Sequence, residues 1–74
     1  LLATHRINVI GYHGAEAEAL RHLQLDLETS DREVLLAQAE RHVRESGYAP
    51  YEGESSVRYD YGDGTYCIDV PVQY

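Results

Sequence analysis

Apolar and polar residues alternate at the start of the chain in the pattern of a β-strand. The segment HRINVIGY is rich in β-branched side chains and places Ile7 and Val9 on one face. Glycine then follows within three residues of its end. We therefore expect a first strand over about residues 4–12, with a turn near His13 and Gly14.

The next segment, AEAEALRHLQLDLE over residues 15–28, supports two interpretations. Its alanines, glutamates and leucines favour a helix, but three of the leucines alternate with polar residues: Leu23, Leu25 and Leu27. A helix would leave Leu25 outside the apolar stripe, whereas a strand brings all three to one face. A helix start at Ser30 also leaves little room for a joint between two helices. We favour a second strand over about residues 18–28, with a helix as the alternative.

A helix over residues 31–46 is the most strongly patterned element. The sequence SDRE at its start is a capping box with Ser30 as the N-cap, and Gly47 follows as a left-handed terminating residue. One stripe of this helix is apolar and is expected to be buried: Leu35, Leu36, Ala39 and Val43.

Two strands follow the helix after the loop GYAPYEGE. Residues 55–61 and 65–74 both alternate with period two, and the sequence GDG separates them as a hairpin turn. The shared-face positions are Val57, Tyr59 and Tyr61 in the first strand, and Tyr66, Ile68, Val70 and Val72 in the second. The pattern predicts a second β-hairpin.

The elements together predict one α+β domain over residues 1–74 with the order ββαββ. One four-stranded, mainly antiparallel sheet would carry a single helix on one face. The alternative is βααββ, with residues 15–28 helical. The element order resembles that of the immunoglobulin-binding domains of streptococcal surface proteins and, more loosely, β-grasp folds. This resemblance is one of topology and implies no function.

Pro71 conflicts with the β-grasp strand order. The last strand of that arrangement is central, and a proline inside a central strand removes a ladder hydrogen bond. We therefore expect either that the last strand is an edge or that its pairing ends before residue 71, and a meander-like strand order is the alternative.

Composition narrows the classes of partner. The chain carries 13 acidic residues against 6 basic ones, all arginine, for a formal charge of −7. Direct binding to nucleic acid or to an anionic membrane is not expected, because both require a basic surface. A basic protein partner or a second copy of the chain fits better. No apolar run could span a bilayer and only one cysteine is present, so a soluble cytoplasmic protein is expected.

Histidine and cysteine spacing indicates no metal site, no cofactor and no catalytic centre. Four histidines and Cys67 lie far apart in the sequence and match no ligand-pair spacing, so we expect scattered surface histidines. Cys67 is expected on the outer face of the sheet, beside Asp69 rather than among cations, which does not favour a nucleophile. We therefore predict a protein that is not an enzyme.

The chain contains seven tyrosines and no phenylalanine or tryptophan. Tyr59, Tyr61 and Tyr66 fit a structural role on strands, whereas loop tyrosines are better placed for contacts. The predicted partner-binding residues are Tyr48, Tyr51, Glu52, Glu54, Asp60 and Asp69.

Three functional hypotheses follow. The first is a small acidic interaction module that binds a basic protein, its own copy as a homodimer, or both. The second is a nucleic-acid-mimicking inhibitor of a DNA- or RNA-binding protein, displaying outward acids: Asp26, Glu28, Asp60 and Asp69. The third is a small ligand- or metal-binding subunit with its site between protomers.

Overall fold

The structure is a computed structural model that describes residues 3–73. Its elements are β1 (Ala3–His13), β2 (Glu16–Leu27), α1 (Arg32–Glu45), β3 (Ala49–Pro50), β4 (Ser56–Asp60) and β5 (Thr65–Gln73). Within these residues the fold is α+β, with one helix packed on a mixed five-stranded sheet. The predicted fold class is confirmed, and the two-residue β3 is added to the four expected strands.

β1 and β2 form an antiparallel hairpin with a tight turn. His13 pairs with Glu16, and Gly14 between them has a φ of 62°, which glycine adopts at little cost. Leu23, Leu25 and Leu27, every second residue at the end of β2, pack against the core, as the alternation predicts. The strand interpretation is confirmed, and the alternative helix over residues 15–28 is wrong.

α1 begins one residue later than the capping-box sequence predicts. The N-cap is Asp31, whose carboxylate accepts the backbone N–H of Glu33 at 3.0 Å, so the assignment of Ser30 as the N-cap is wrong. Thr29 accounts for the shift, because its hydroxyl accepts the N–H of Asp31 and fixes the chain ahead of the helix.

α1 ends in a Schellman motif at Gly47, which has a φ of 96°. The N–H of Gly47 donates to the carbonyl of Arg44, and the N–H of Tyr48 donates to the carbonyl of Val43. The predicted left-handed glycine is confirmed. The motif turns the chain back so that Tyr48 packs against the core.

β5 lies inside the sheet, parallel to β1 on one side and antiparallel to β3 and β4 on the other. The last strand is therefore central, as in the β-grasp strand order that the element order resembles. The expectation of an edge strand, or of pairing that ends before Pro71, is wrong because Pro71 pairs with Ile10 and Val72 with Gly11. The meander alternative is wrong for the same reason.

Pro71 is tolerated in β5 because its backbone faces a break between β3 and β4. Its carbonyl accepts the N–H of Tyr51 at 3.0 Å, which fixes the direction of its backbone groups. The N and C=O of one strand residue point to the same side, and residues 51–55 on that side belong to no strand. The missing N–H therefore costs no ladder hydrogen bond to β1.

The core lies between α1 and one face of the sheet. Its most deeply buried members are Ile7, Val9, Leu35, Ala39, Val43, Ile68, Val70 and Val72. They include most of the predicted stripe of α1, and Leu36 is partly buried beside them. No other element among residues 3–73 covers the opposite face of the sheet, which we call the outer face. No helix of this part of the chain is long and apolar enough to cross a membrane.

Candidate functional site

The strand register places two rows of polar side chains across the outer face. The first row consists of Gln24, Arg6, Cys67 and Arg58, in order from β2 to β4. The second row consists of His22, Asn8, Asp69 and Ser56. Strands in a sheet are about 4.8 Å apart, so neighbours within a row are in reach of one another or of a shared ligand.

The second row is joined by side-chain hydrogen bonds. The Nδ2 of Asn8 donates to the carboxylate of Asp69 at 2.8 Å, and the Oδ1 of Asn8 lies 2.8 Å from the Nδ1 of His22. A carboxylate only accepts, so the amide of Asn8 is oriented by Asp69, and His22 must donate through Nδ1. The Asp69 carboxylate is thus held in place by its neighbour and is not a free surface charge.

The first row corrects the expected surroundings of Cys67. Its predicted place on the outer face is confirmed, and its side chain is almost fully buried there. Its neighbours across the sheet are Arg6 on β1 and Arg58 on β4, so the expectation that it lies away from cations is wrong. Asp69 is near Cys67 along the chain, whereas the register between strands decides which side chains meet across the sheet.

A cavity of about 510 Å³ opens on the outer face next to Arg6. Eight of the side chains at its wall carry polar groups or a thiol: Thr4, His5, Arg6, His22, Gln24, Asp63, Thr65 and Cys67. Among residues 3–73, neither the guanidinium of Arg6 nor the carboxylate of Asp63 forms an ion pair or hydrogen bond. The cavity therefore presents one positive and one negative group that the fold leaves unpaired.

Three tyrosines pack together near the tip of the β4–β5 hairpin; we call Tyr59, Tyr61 and Tyr66 the tyrosine cluster. Tyr59 contacts both of the others edge to face, with ring centroids 4.8 Å from Tyr61 and 5.0 Å from Tyr66. Tyr66 packs against the core, while Tyr61 is 90% exposed and Tyr59 is 42% exposed. The cluster therefore runs from the protein interior into solvent, with Tyr61 at its exposed end.

His5 supports the inner end of the tyrosine cluster. It is only 2% exposed, and its ring lies 5.6 Å from that of Tyr66. Its Nδ1 accepts the backbone N–H of Tyr66, and its Nε2 lies 3.0 Å from the carbonyl of Leu27. Because Nδ1 accepts, Nε2 carries the proton and donates to that carbonyl. The expectation that the histidines lie scattered on the surface is wrong for His5.

The predicted partner-binding residues of the loop after β3 remain close together in the structure. Tyr51 is 45% exposed, and Glu52 and Glu54 are exposed on the same loop. The N–H of Glu54 donates to the carbonyl of Tyr51, which gives the loop a turn. Tyr48 is not part of this group, because its ring is partly buried against the core.

The two predicted aspartates lie elsewhere, each in a local role. Asp60 accepts the backbone N–H of Gly62 at 2.9 Å and that of Asp63 at 3.4 Å, which stabilises the hairpin turn. Asp69 lies on the outer face in the hydrogen-bonded second row. The structure therefore divides the predicted set among the loop, the hairpin tip, the outer face and, for Tyr48, the border of the core.

Among residues 3–73, no three His, Cys, Asp or Glu side chains are grouped so that they could hold a metal ion. No protein-family model, no curated protein and no solved structure matches the chain. The surface chemistry of the tyrosine cluster and of the outer face is therefore the basis for assigning a function.

Proposed function

We propose that the protein is a non-enzymatic interaction module that binds an arginine- or lysine-bearing segment of a basic partner protein at the tyrosine cluster. The observation that carries this proposal is the position of Tyr61, which is 90% exposed and yet packed edge to face on Tyr59. An exposed ring held in one orientation offers its face to a cation, and arginine or lysine over a tyrosine face is attracted by the ring quadrupole.

The charge around the cluster favours a cationic partner. Asp60 and Asp63 flank Tyr61 on both sides in the chain. From residue 45 to residue 73 the chain has six acidic side chains and a single basic one, Arg58. A cationic segment approaching this end of the sheet is therefore steered toward it, whereas an anionic one is repelled.

The cluster is also preorganised, which lowers the entropy cost of binding. Tyr59 is held between Tyr61 and Tyr66, and Tyr66 is fixed through its backbone by His5. The turn between the two strands is held by the carboxylate of Asp60. Tyrosine has few rotatable bonds, so such a surface loses little freedom when a partner binds.

The test is a calorimetric titration of the protein with a short arginine-rich peptide, which measures the dissociation constant. Tyr61→Ala should weaken binding about fivefold, equivalent to roughly 1 kcal/mol of cation–π attraction. Tyr12→Ala is the matched control, because Tyr12 is also exposed, at 51%, but lies at the opposite end of β1. Equal affinities of the wild type and the Tyr61→Ala variant for the peptide would refute the proposal.

Self-association is a second candidate, supported by the exposed edge of the sheet. β2 has 12 residues and, in the described part of the chain, pairs only with β1, so one row of its backbone groups is open to another strand. We propose a homodimer in which the β2 strands of two copies pair. Light scattering after size-exclusion chromatography at two concentrations tests it, and a monomer at both would refute it.

The nucleic-acid mimic gains no comparable support from the outer face. The row that contains Arg6 and Arg58 lies between Asp26 and Asp69, so these carboxylates do not form a continuous acidic surface. The proposal of a site between protomers gains no specific support either, because the cavity on the outer face is lined within one chain.

A further inference from the structure

The outer-face cavity combines two unpaired groups of opposite charge. Arg6 lies in the middle of the sheet on β1, and Asp63 comes from the β4–β5 turn. Both line the same cavity, but within residues 3–73 they form no ion pair with each other or with any other side chain. The fold thus holds the two charges apart across a space of about 510 Å³.

We propose that this cavity binds a small zwitterion of the amino acid or short peptide class. The guanidinium of Arg6 would receive the carboxylate, since its planar donors match carboxylate geometry. The carboxylate of Asp63 would receive the ammonium group. The volume falls within the range of small-molecule sites, and the hydroxyls of Thr4 and Thr65 add donors and acceptors at the wall.

The pairing of charges selects a zwitterion over simpler ligands. A simple anion would pair with Arg6 but would be repelled by Asp63. A simple cation would pair with Asp63 but would be repelled by Arg6. A ligand that carries both charges satisfies both groups and leaves neither uncompensated. Gln24 and Cys67, the neighbours of Arg6 in its row, give the remaining wall mixed polar and weakly polar character.

This site goes beyond the proposed function, because it lies on the outer face and its central residue, Arg6, takes no part in the tyrosine cluster. Asp63 flanks both places, so Arg6→Gln is the variant that separates them. It should weaken zwitterion binding by about fivefold or more, while the arginine-rich peptide still binds the tyrosine cluster with unchanged affinity.

The test is an NMR titration of the ¹⁵N-labelled protein with dialanine, which carries one free ammonium and one free carboxylate. We expect saturable shifts at the amides of Arg6, Gln24 and Cys67, with a dissociation constant on the order of 1 mM. N-acetyl-dialanine and dialanine amide each lack one charge and should bind about fivefold more weakly or worse.

Two variants and two matched controls complete the experiment. Arg6→Gln and Asp63→Asn should each weaken dialanine binding by about fivefold or more. Arg21→Gln and Glu52→Gln also remove one exposed charge each, outside the cavity, and should leave binding unchanged. Absence of shifts at low-millimolar dialanine would overturn the proposal. If Arg6→Gln loses binding while Asp63→Asn binds dialanine as tightly as the wild type, the cavity is a simple anion site, and the proposed zwitterion ligand is overturned.

Discussion

The backbone N–H of Tyr66 donates to the imidazole Nδ1 of His5 at 3.0 Å, inside the protein, where His5 is 2% exposed. The other nitrogen of the same ring reaches the carbonyl of Leu27 at 3.0 Å. One side chain on β1 therefore ties the end of β2 to the start of β5. These are the strands on either side of β1 in the sheet.

His5→Ala should destabilise the protein by about 3 kcal/mol, because it opens a cavity and leaves the N–H of Tyr66 without its acceptor. This is a large fraction of the total stability of so small a domain. Urea denaturation measures the change. His13→Ala is the control, since His13 is an exposed histidine on the same strand, and its loss should cost well under 1 kcal/mol. Similar losses for both variants would contradict the proposed role of His5.

Pro71→Ala should change the free energy of unfolding by less than about 1 kcal/mol, because the ladder to β1 does not use the missing N–H. Val70→Pro should be far worse, by about 3 kcal/mol beyond the cost of Val70→Ala, because the backbone of Val70 faces β1. Comparison with Val70→Ala removes the contribution of the lost side chain. Thermal denaturation of the three variants measures the difference, and equal melting temperatures for Val70→Pro and Val70→Ala would refute the backbone argument.

Asn8 and Asp69 should show energetic coupling across the sheet. Asn8→Ala removes the donor of the partly buried Asp69 carboxylate and should cost about 1–2 kcal/mol. A double-mutant cycle with Asp69→Ala should give a coupling energy of about 1 kcal/mol. A control cycle that combines Asn8→Ala with Glu52→Ala, at a distant and exposed position, should show no coupling energy.

Gly47 should be sensitive to substitution through its backbone alone. Its φ of 96° is unfavourable for other residues, and a β-carbon at this position would contact nothing within 4 Å. Gly47→Ala should therefore cost about 1 kcal/mol, with Gly47→Asn less costly because asparagine tolerates left-handed backbone better. Chemical denaturation ranks the three proteins, and an alanine variant as stable as the wild type would contradict the Schellman assignment.

Much of the secondary structure follows from the sequence because its causes are local. Alternation identifies β2 despite its helix-forming residues, and Gly47 marks the end of α1. The place of β5 in the sheet could not be predicted in this way. Pro71 by itself predicts an edge strand, and only the break between β3 and β4, which is set by another part of the chain, makes a central proline acceptable.

The candidate sites depend still more on contacts that are distant in sequence. The partners of His5 lie 22 and 61 residues away, so nothing near it in the chain indicates burial. The same is true of Arg6 and Cys67, which are neighbours only through the parallel pairing of β1 with β5. The loop residues Tyr51 and Glu52, by contrast, could be found from sequence because turn signals place them at the surface.

Substitutions within the tyrosine cluster should separate stability from binding. Tyr66→Ala should destabilise the protein by about 2–3 kcal/mol, because Tyr66 packs against the core and beneath Tyr59. Tyr61→Ala should change stability by no more than about 0.5 kcal/mol, since its ring is almost wholly in solvent. Tyr61→Ala should nevertheless weaken the binding of the arginine-rich peptide.

Tyr61→Phe keeps the ring and should retain binding, because the attraction arises from the ring face and not from the hydroxyl. Calorimetric titration and urea denaturation of all three variants make the comparison. A Tyr61→Phe variant that binds as poorly as Tyr61→Ala would show that the hydroxyl, and not the ring, is recognised.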